Sequence, residues 1–128
     1  MPDVPQKVNK GFLKVAEELY ELGKRSKGEK REFAFRSAIS RAYYGVLWYV
    51  RNFYNLRESE DLHKIVLKTL INKHSDFVVD LLIELKTARV DADYKVKKRK
   101  LLKTIDKNVT KLYINIAKSI ITYVEKGV

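Results

Sequence analysis

The chain of 128 residues contains no cysteine. That absence excludes disulfides, thiolate metal sites and a thiol nucleophile, and leaves the redox compartment open. Proline occurs twice, at Pro2 and Pro5, and nowhere later. Because proline breaks helix interiors, everything after residue 5 is free to form long helices. Only five glycines are present, and none has the company of a GxxxxGK phosphate loop. Long apolar runs are missing as well. The best, FVVDLLIEL, is broken by Asp80 and Glu84 and falls short of the ~18 to 20 apolar residues of a membrane span. The opening stretch MPDVPQKVNKG lacks the apolar core and leading positive charge of a signal peptide, so a soluble, cytoplasmic protein away from membranes is expected. The two histidines, His63 and His74, come without a paired carboxylate motif, so neither a metal nor a cofactor is expected. Ser, His and Asp all occur, but nothing spaces them as a catalytic triad.

What is abundant is positive charge. Lys and Arg number 27 against 16 Asp and Glu, giving a net charge of +11. Such a surplus favours anionic partners, among them nucleic acid, nucleotides, acidic proteins and membrane surfaces, without choosing between them. With 45% apolar and 34% charged residues the composition is that of a folded protein. No repeat, linker or low-complexity tract divides the chain, so residues 1–128 are read as one domain.

Apolar residues recur at three- and four-residue steps throughout, and no segment alternates with period two. A first amphipathic helix is predicted from Lys7 to Lys24, with Phe12, Val15, Ala16, Leu19 and Leu22 on its apolar face. The longest follows from about Arg31 to Tyr54. Ser59, Glu60 and Asp61 are candidate caps for a short third helix bearing Leu62, Ile65, Val66, Thr69 and Leu70. Ser75 and Asp76 precede a fourth, on which Phe77, Val78, Leu81, Leu82, Leu85 and Ala88 share a face, ending or bending around Arg89 to Tyr94. In the last helix Leu101, Ile105, Val109, Leu112, Ile116 and Ile120 form a heptad-like seam. The expected fold is all-α: an antiparallel up-and-down bundle of four long helices plus a short fifth.

The segment RSAISRAYYGVLWYVRNFY, residues 36–54, organises this pattern. One stripe, Phe35, Ile39, Ala42, Val46, Tyr49 and Phe53, has the spacing of a core face. A second, Ser37, Arg41, Tyr44, Trp48 and Arg51, mixes aromatic and cationic residues. Side chains of that kind stack bases and hold phosphates, and they are equally enriched in protein interfaces. The stripe is more apolar than a monomer needs to expose, so a homodimer is expected. Two further features stand near each other. Arg89-Val90-Asp91-Ala92-Asp93-Tyr94 is a compact polar cluster, either a turn between helices or a site at a helix end. The basic run Lys95, Lys97, Lys98, Arg99, Lys100, Lys103 and Lys107 is either a solvated helix start or a phosphate-backbone contact.

The segment FAFRSAISRAYYGVLWYVRNFY resembles the second helix of HEPN domains, whose signature there runs like RSAISRAYYA. Leu62-His63-Lys64 is similar to the short stretch that opens the third helix in one branch of that family. Arg89 to Tyr94 resembles the Arg-x-x-Ala-Asp-Tyr element of the same branch. The resemblance implies a dimeric helical bundle with a groove for nucleotide or RNA. It also implies a toxin–antitoxin-like pairing with a minimal nucleotidyltransferase. Many members are metal-independent endoribonucleases that use Arg, four to six residues, then His. Here Arg89 is followed by four residues and then Tyr94 in place of His, and Tyr, titrating near pH ~10, is a poor base at neutral pH. The spacing Arg57, five residues, His63 also fits the numerical pattern, but in the wrong loop.

Three functions therefore stay open. The first is binding of nucleotide or RNA by Arg41, Tyr44, Trp48, Arg89, Asp93, Tyr94, Lys97 and Lys98. The second is endoribonuclease activity with Arg89 and Tyr94 as catalytic residues, and the third is a non-catalytic dimerisation or protein-interaction module. Tyr94 is the first candidate should a partner modify a tyrosine.

Overall fold

The computed structural model describes residues 10–57, 61–94 and 105–128, and all their regular structure is helical. The helices are α1 (Gly11–Arg25), α2 (Gly28–Phe53), α3 (Leu62–Lys73), α4 (Asp76–Tyr94) and α5 (Lys107–Lys126). They form a bundle in which α2 packs against each of the other four. The central position follows from composition. Phe35, Ile39, Ala42, Val46 and Tyr49 are almost wholly buried, and so are Tyr43, Leu47 and Val50 on neighbouring faces. Phe53, the last residue of the predicted core stripe, is partly buried against the same cluster. Ser37, Arg41, Tyr44, Trp48 and Arg51 are left on the outer stripe, exposed or half-buried.

Small residues decide how the outer helices dock. A Cβ on Gly45 would come within 3.2 Å of the Phe12 Cβ and 3.3 Å of the Leu13 amide nitrogen, so the α1 backbone lies directly on α2 there. At Gly23 the Phe35 ring fills the place a side chain would take, 2.5 Å from an added Cβ. The side of α1 that faces the core is therefore Leu13, Ala16 and Gly23. Phe12 and Val15, expected on the apolar face, remain 36% and 40% exposed. On α5 the expected seam holds at Ile116 and Ile120, buried together with Ile114, Ala117, Ile121 and Val124, while Leu112 points outward at 52% exposure. Leu101 and residues 7–9 of the expected first turn lie outside the described residues.

Polar groups set the helix ends. The Asp61 carboxylate accepts the Lys64 N–H at 3.0 Å and caps α3; the other candidates, Ser59 and Glu60, lie outside the described residues. Asp106 does the same for α5, accepting from Val109 at 2.9 Å. Helix α2 ends in a Schellman turn, with Asn55 at φ 54° and the Leu56 N–H donating to the Arg51 carbonyl at 2.8 Å.

Helix α4 stays helical from Arg89 to its last residue, Tyr94, and so ends within the span where an end or bend was expected. A contact from α2 holds its last turn. Arg36 is buried, 4% exposed, and its Nη1 donates to the Asp91 and Ala92 carbonyls at 3.2 Å each. Its Nε and Nη2 donate to Glu32 at 3.0 and 2.8 Å. A cation close to the C-terminal end of a helix interacts favourably with the helix dipole. Helix α4 has no basic residue in its own last turn, so α2 supplies the guanidinium. Replacing Arg36 with Met should lower the unfolding free energy by about 3 kcal/mol, read from the urea midpoint, because buried carbonyls lose their donor. A midpoint equal to that of the parent chain would remove the interaction from the account of α4.

Candidate functional site

Helices α2, α3 and α4 meet around Tyr43, where most of the candidate chemistry gathers. Ser40, Tyr43 and Tyr44 succeed one another at three- and one-residue steps on α2, which turns them toward α4. On α4, Lys86, Arg89 and Asp93 are three and four residues apart, a single helix face. Arg89 carries the cluster. Its guanidinium lies over the Tyr43 ring at 5.6 Å and the Tyr44 ring at 5.0 Å. It donates to the Tyr44 hydroxyl through Nη2, and its Nε pairs with Asp93 Oδ2 at 3.0 Å. Asp93 in turn accepts from the Ser40 hydroxyl at 3.2 Å. From the first turn of α3, His63 places its Nδ1 2.8 Å from the Tyr43 hydroxyl, with the two rings 6.0 Å apart. Tyr43 is thus shared: one ring carries Arg89 and touches His63.

The electrostatics are uneven. Burial holds the Tyr43 phenol well above its usual range, outweighing the pull of Arg89 toward ionisation. Tyr43 therefore stays protonated at neutral pH. His63 is pushed below the usual imidazole value, first by burial and then by the positive charges of Lys86 and Arg89, with Asp61 acting the other way. A neutral imidazole that meets a phenol through Nδ1 keeps Nε2 as its remaining hydrogen-bonding atom. The arrangement offers a cationic fork on aromatic faces, three hydroxyls and one imidazole. Those groups can hold a phosphate and move a proton.

Of the residues singled out in the sequence, Tyr44, Arg89 and Asp93 come together here. Arg41 and Trp48 do not join them. The Trp48 ring stacks on Phe12 of α1, centroids 6.5 Å apart, with the Arg51 guanidinium 4.9 Å from the Trp48 centroid. The Arg41 guanidinium lies 6.0 Å from the Phe12 ring. The aromatic–cationic stripe of α2 thus divides: Tyr44 turns to α4, Arg41 and Trp48 to α1. Tyr94 is the last residue of α4, and Lys97 and Lys98 lie outside the described residues. Ser40, Tyr43, Lys86 and His63 were not among the sequence candidates. His63 stood only as part of a landmark and as the end of a discounted Arg57 spacing; its partner in the fold is Tyr43, twenty residues away. Among the described residues no three of His, Cys, Asp and Glu gather as a metal site. No helix of these residues is long and apolar enough to cross a membrane. Compared with protein-family models, curated proteins and solved structures, the chain matches none.

Burial also lowers His74, whose Nε2 lies 2.5 Å from the Tyr54 hydroxyl. Both imidazoles are less basic in the folded protein than in the unfolded chain. Below about pH 6.5 the unfolded state therefore binds more protons, and stability falls as pH drops from about 7 to 5. Thermal melts across that window should show a declining midpoint, with the decline reduced in His63→Gln and in His74→Gln. A flat profile for the parent chain would contradict the burial assigned to both rings.

Proposed function

We propose that this chain is a HEPN-type protein that binds nucleotide or RNA at the Arg89 site. It acts as a cytoplasmic homodimer with an antiparallel up-and-down arrangement of helices, paired with a minimal nucleotidyltransferase in a toxin–antitoxin-like system. The observation that carries the binding function is the Arg89 guanidinium, set over two tyrosine rings and held by Asp93 and the Tyr44 hydroxyl. A fork held in this way meets a phosphate while neighbouring aromatic faces receive a base. The net charge of +11 draws polyanions to the molecule from any direction. The outer stripe of α2 supports the dimer, because Arg41, Trp48 and Arg51 combine with Phe12 into one aromatic and cationic surface.

A second reading, metal-independent endoribonuclease activity, is favoured by His63. Tyr94 alone gives such a site no base at neutral pH, whereas a neutral imidazole beside Tyr43 and Arg89 does. In this reading the imidazole accepts the ribose 2′-hydroxyl proton and Arg89 offsets the charge that develops on the phosphate.

One set of measurements tests both. At low salt, Arg89→Ala should bind labelled RNA or ATP about tenfold more weakly than the parent chain, the loss of one charge-assisted contact. Equal binding by Arg89→Ala would remove the proposed site. Structured RNA and tRNA incubated with the protein in EDTA should be cut by the parent chain and spared by His63→Gln. Intact RNA in both samples leaves binding as the function and excludes the nuclease.

A further inference from the structure

We infer that the anion fitted by the junction of α2, α3 and α4 is a terminal phosphomonoester, bound as a dianion by Lys86, Arg89 and His63 while His63 takes up a proton from solvent. This rests on the binding function proposed above and specifies its ligand. Depth is the first argument. Arg89 is 15% exposed at its side chain, and Tyr43, on which it lies, is 2% exposed. A guanidinium set against two tyrosine rings and so little exposed is reached most easily end-on, by a terminal phosphate. A phosphate within a chain carries a nucleotide on each side and is harder to bring to the same contact.

Charge is the second. Lys86 and Arg89 project from one face of α4, and both act on the imidazole brought in by α3. Asp93 offsets part of this from the same helix, and Asp61 opposes it from the exposed cap of α3. From α2 the groups that face the site are the hydroxyl-bearing Ser40, Tyr43 and Tyr44. Two permanent cations and a third on demand suit a dianion better than a diester with its single charge. Phosphomonoesters lose their second proton near pH ~6 and so are dianions at neutral pH.

The proton follows from the same geometry. Without ligand, His63 is neutral because burial and two cations oppose its protonation. A dianion against Lys86 and Arg89 reverses the sign of the local field and favours the imidazolium. The Nδ1–H then donates to the Tyr43 oxygen, and the Nε2–H is left for the phosphate. Binding should therefore strengthen as pH falls from about 8.5 toward 6.5, then weaken as the phosphate itself protonates.

The test is calorimetry on the full chain with AMP and with two RNA hexamers of one sequence, one ending in a 5′-phosphate and one in a 5′-hydroxyl. Titrations at one near-neutral pH in Tris and in HEPES give the protons exchanged. The phosphorylated hexamer should bind about tenfold tighter than the hydroxyl form, with net proton uptake. His63→Gln should keep binding but lose the uptake and the alkaline limb of the pH profile. Lys86→Gln, at a half-buried position outside the hydrophobic core, should weaken the phosphorylated hexamer selectively, which keeps the test independent of the fold around His63. AMP as tight as the phosphorylated hexamer identifies a free nucleotide as the source of the phosphate; a weaker AMP identifies an RNA end, and both uphold the inference. Equal affinity for the two hexamers overturns the monoester while RNA binding stands. Zero uptake, or uptake that persists in His63→Gln, overturns the role of His63. No binding of any probe overturns the inference and the proposed function together.

Discussion

The interaction on which the rest of the arrangement depends is the hydrogen bonding of Arg36 to the end of α4. A guanidinium 4% exposed is costly to bury, and it is tolerated because two helix-end carbonyls and Glu32 surround it. The bond fixes two things at once. It ties the last turn of α4 to α2, and it sets the rotation of α4 against α2. Residues 89 and 93 lie within one turn of the carbonyls that Arg36 holds, so their side chains meet Ser40 and Tyr44 as a direct result. A site built from two helices in this way is as rigid as their contact. The small second core cluster, Ile39 with Ala88 and Ala92, sits beneath it and keeps the helices close.

Much of the fold was legible in the sequence, and the reasons differ by element. Proline confined to the first five residues and three- and four-residue apolar spacing were enough to read five helices. The buried run of α2 was legible because nearly every face of it is apolar. What was not legible was the rotation of α1 and, at Leu112, that of the first turns of α5. A stripe of large apolar residues is conspicuous in a sequence, yet backbones approach most closely over small residues such as Ala16, Gly23 and Gly45. Phe12 and Leu112 were therefore assigned to faces that the packing leaves open. The segment from Arg89 to Tyr94 read as a turn or helix end because its residues are polar. In the fold it stays helical, with the Arg89–Asp93 pair one turn apart along it and Arg36, 55 residues earlier, donating to its carbonyls.

The candidate site was legible in part, for the same cause. Arg89, Asp93 and Tyr44 stood out by residue type and by the family resemblance. His63 and Tyr43 did not, since neither spacing nor local composition links residues that meet only when α3 crosses α2. The single aromatic–cationic stripe on α2 was also divided by its neighbours. One part of it turned to α4, and the other lies over Phe12 on α1. Neighbours on one helix face therefore need not serve one site, because each adjoining helix claims its own strip.

The pair between Arg89 and Asp93 has a consequence for selectivity. Asp93 stands one helical turn from Arg89 and already holds an oxygen 3.0 Å from its Nε. The carboxylate acts as a tethered competitor, present at high effective concentration whatever the solution contains. A weakly held monovalent ion such as chloride has to compete with that carboxylate for the Nε edge of the guanidinium. A ligand that contacts several groups at once would compete better, and Asp93, also bonded to Ser40, has a second partner to keep it in place. The resting site is filled by its own side chain, which serves as a threshold as much as a support.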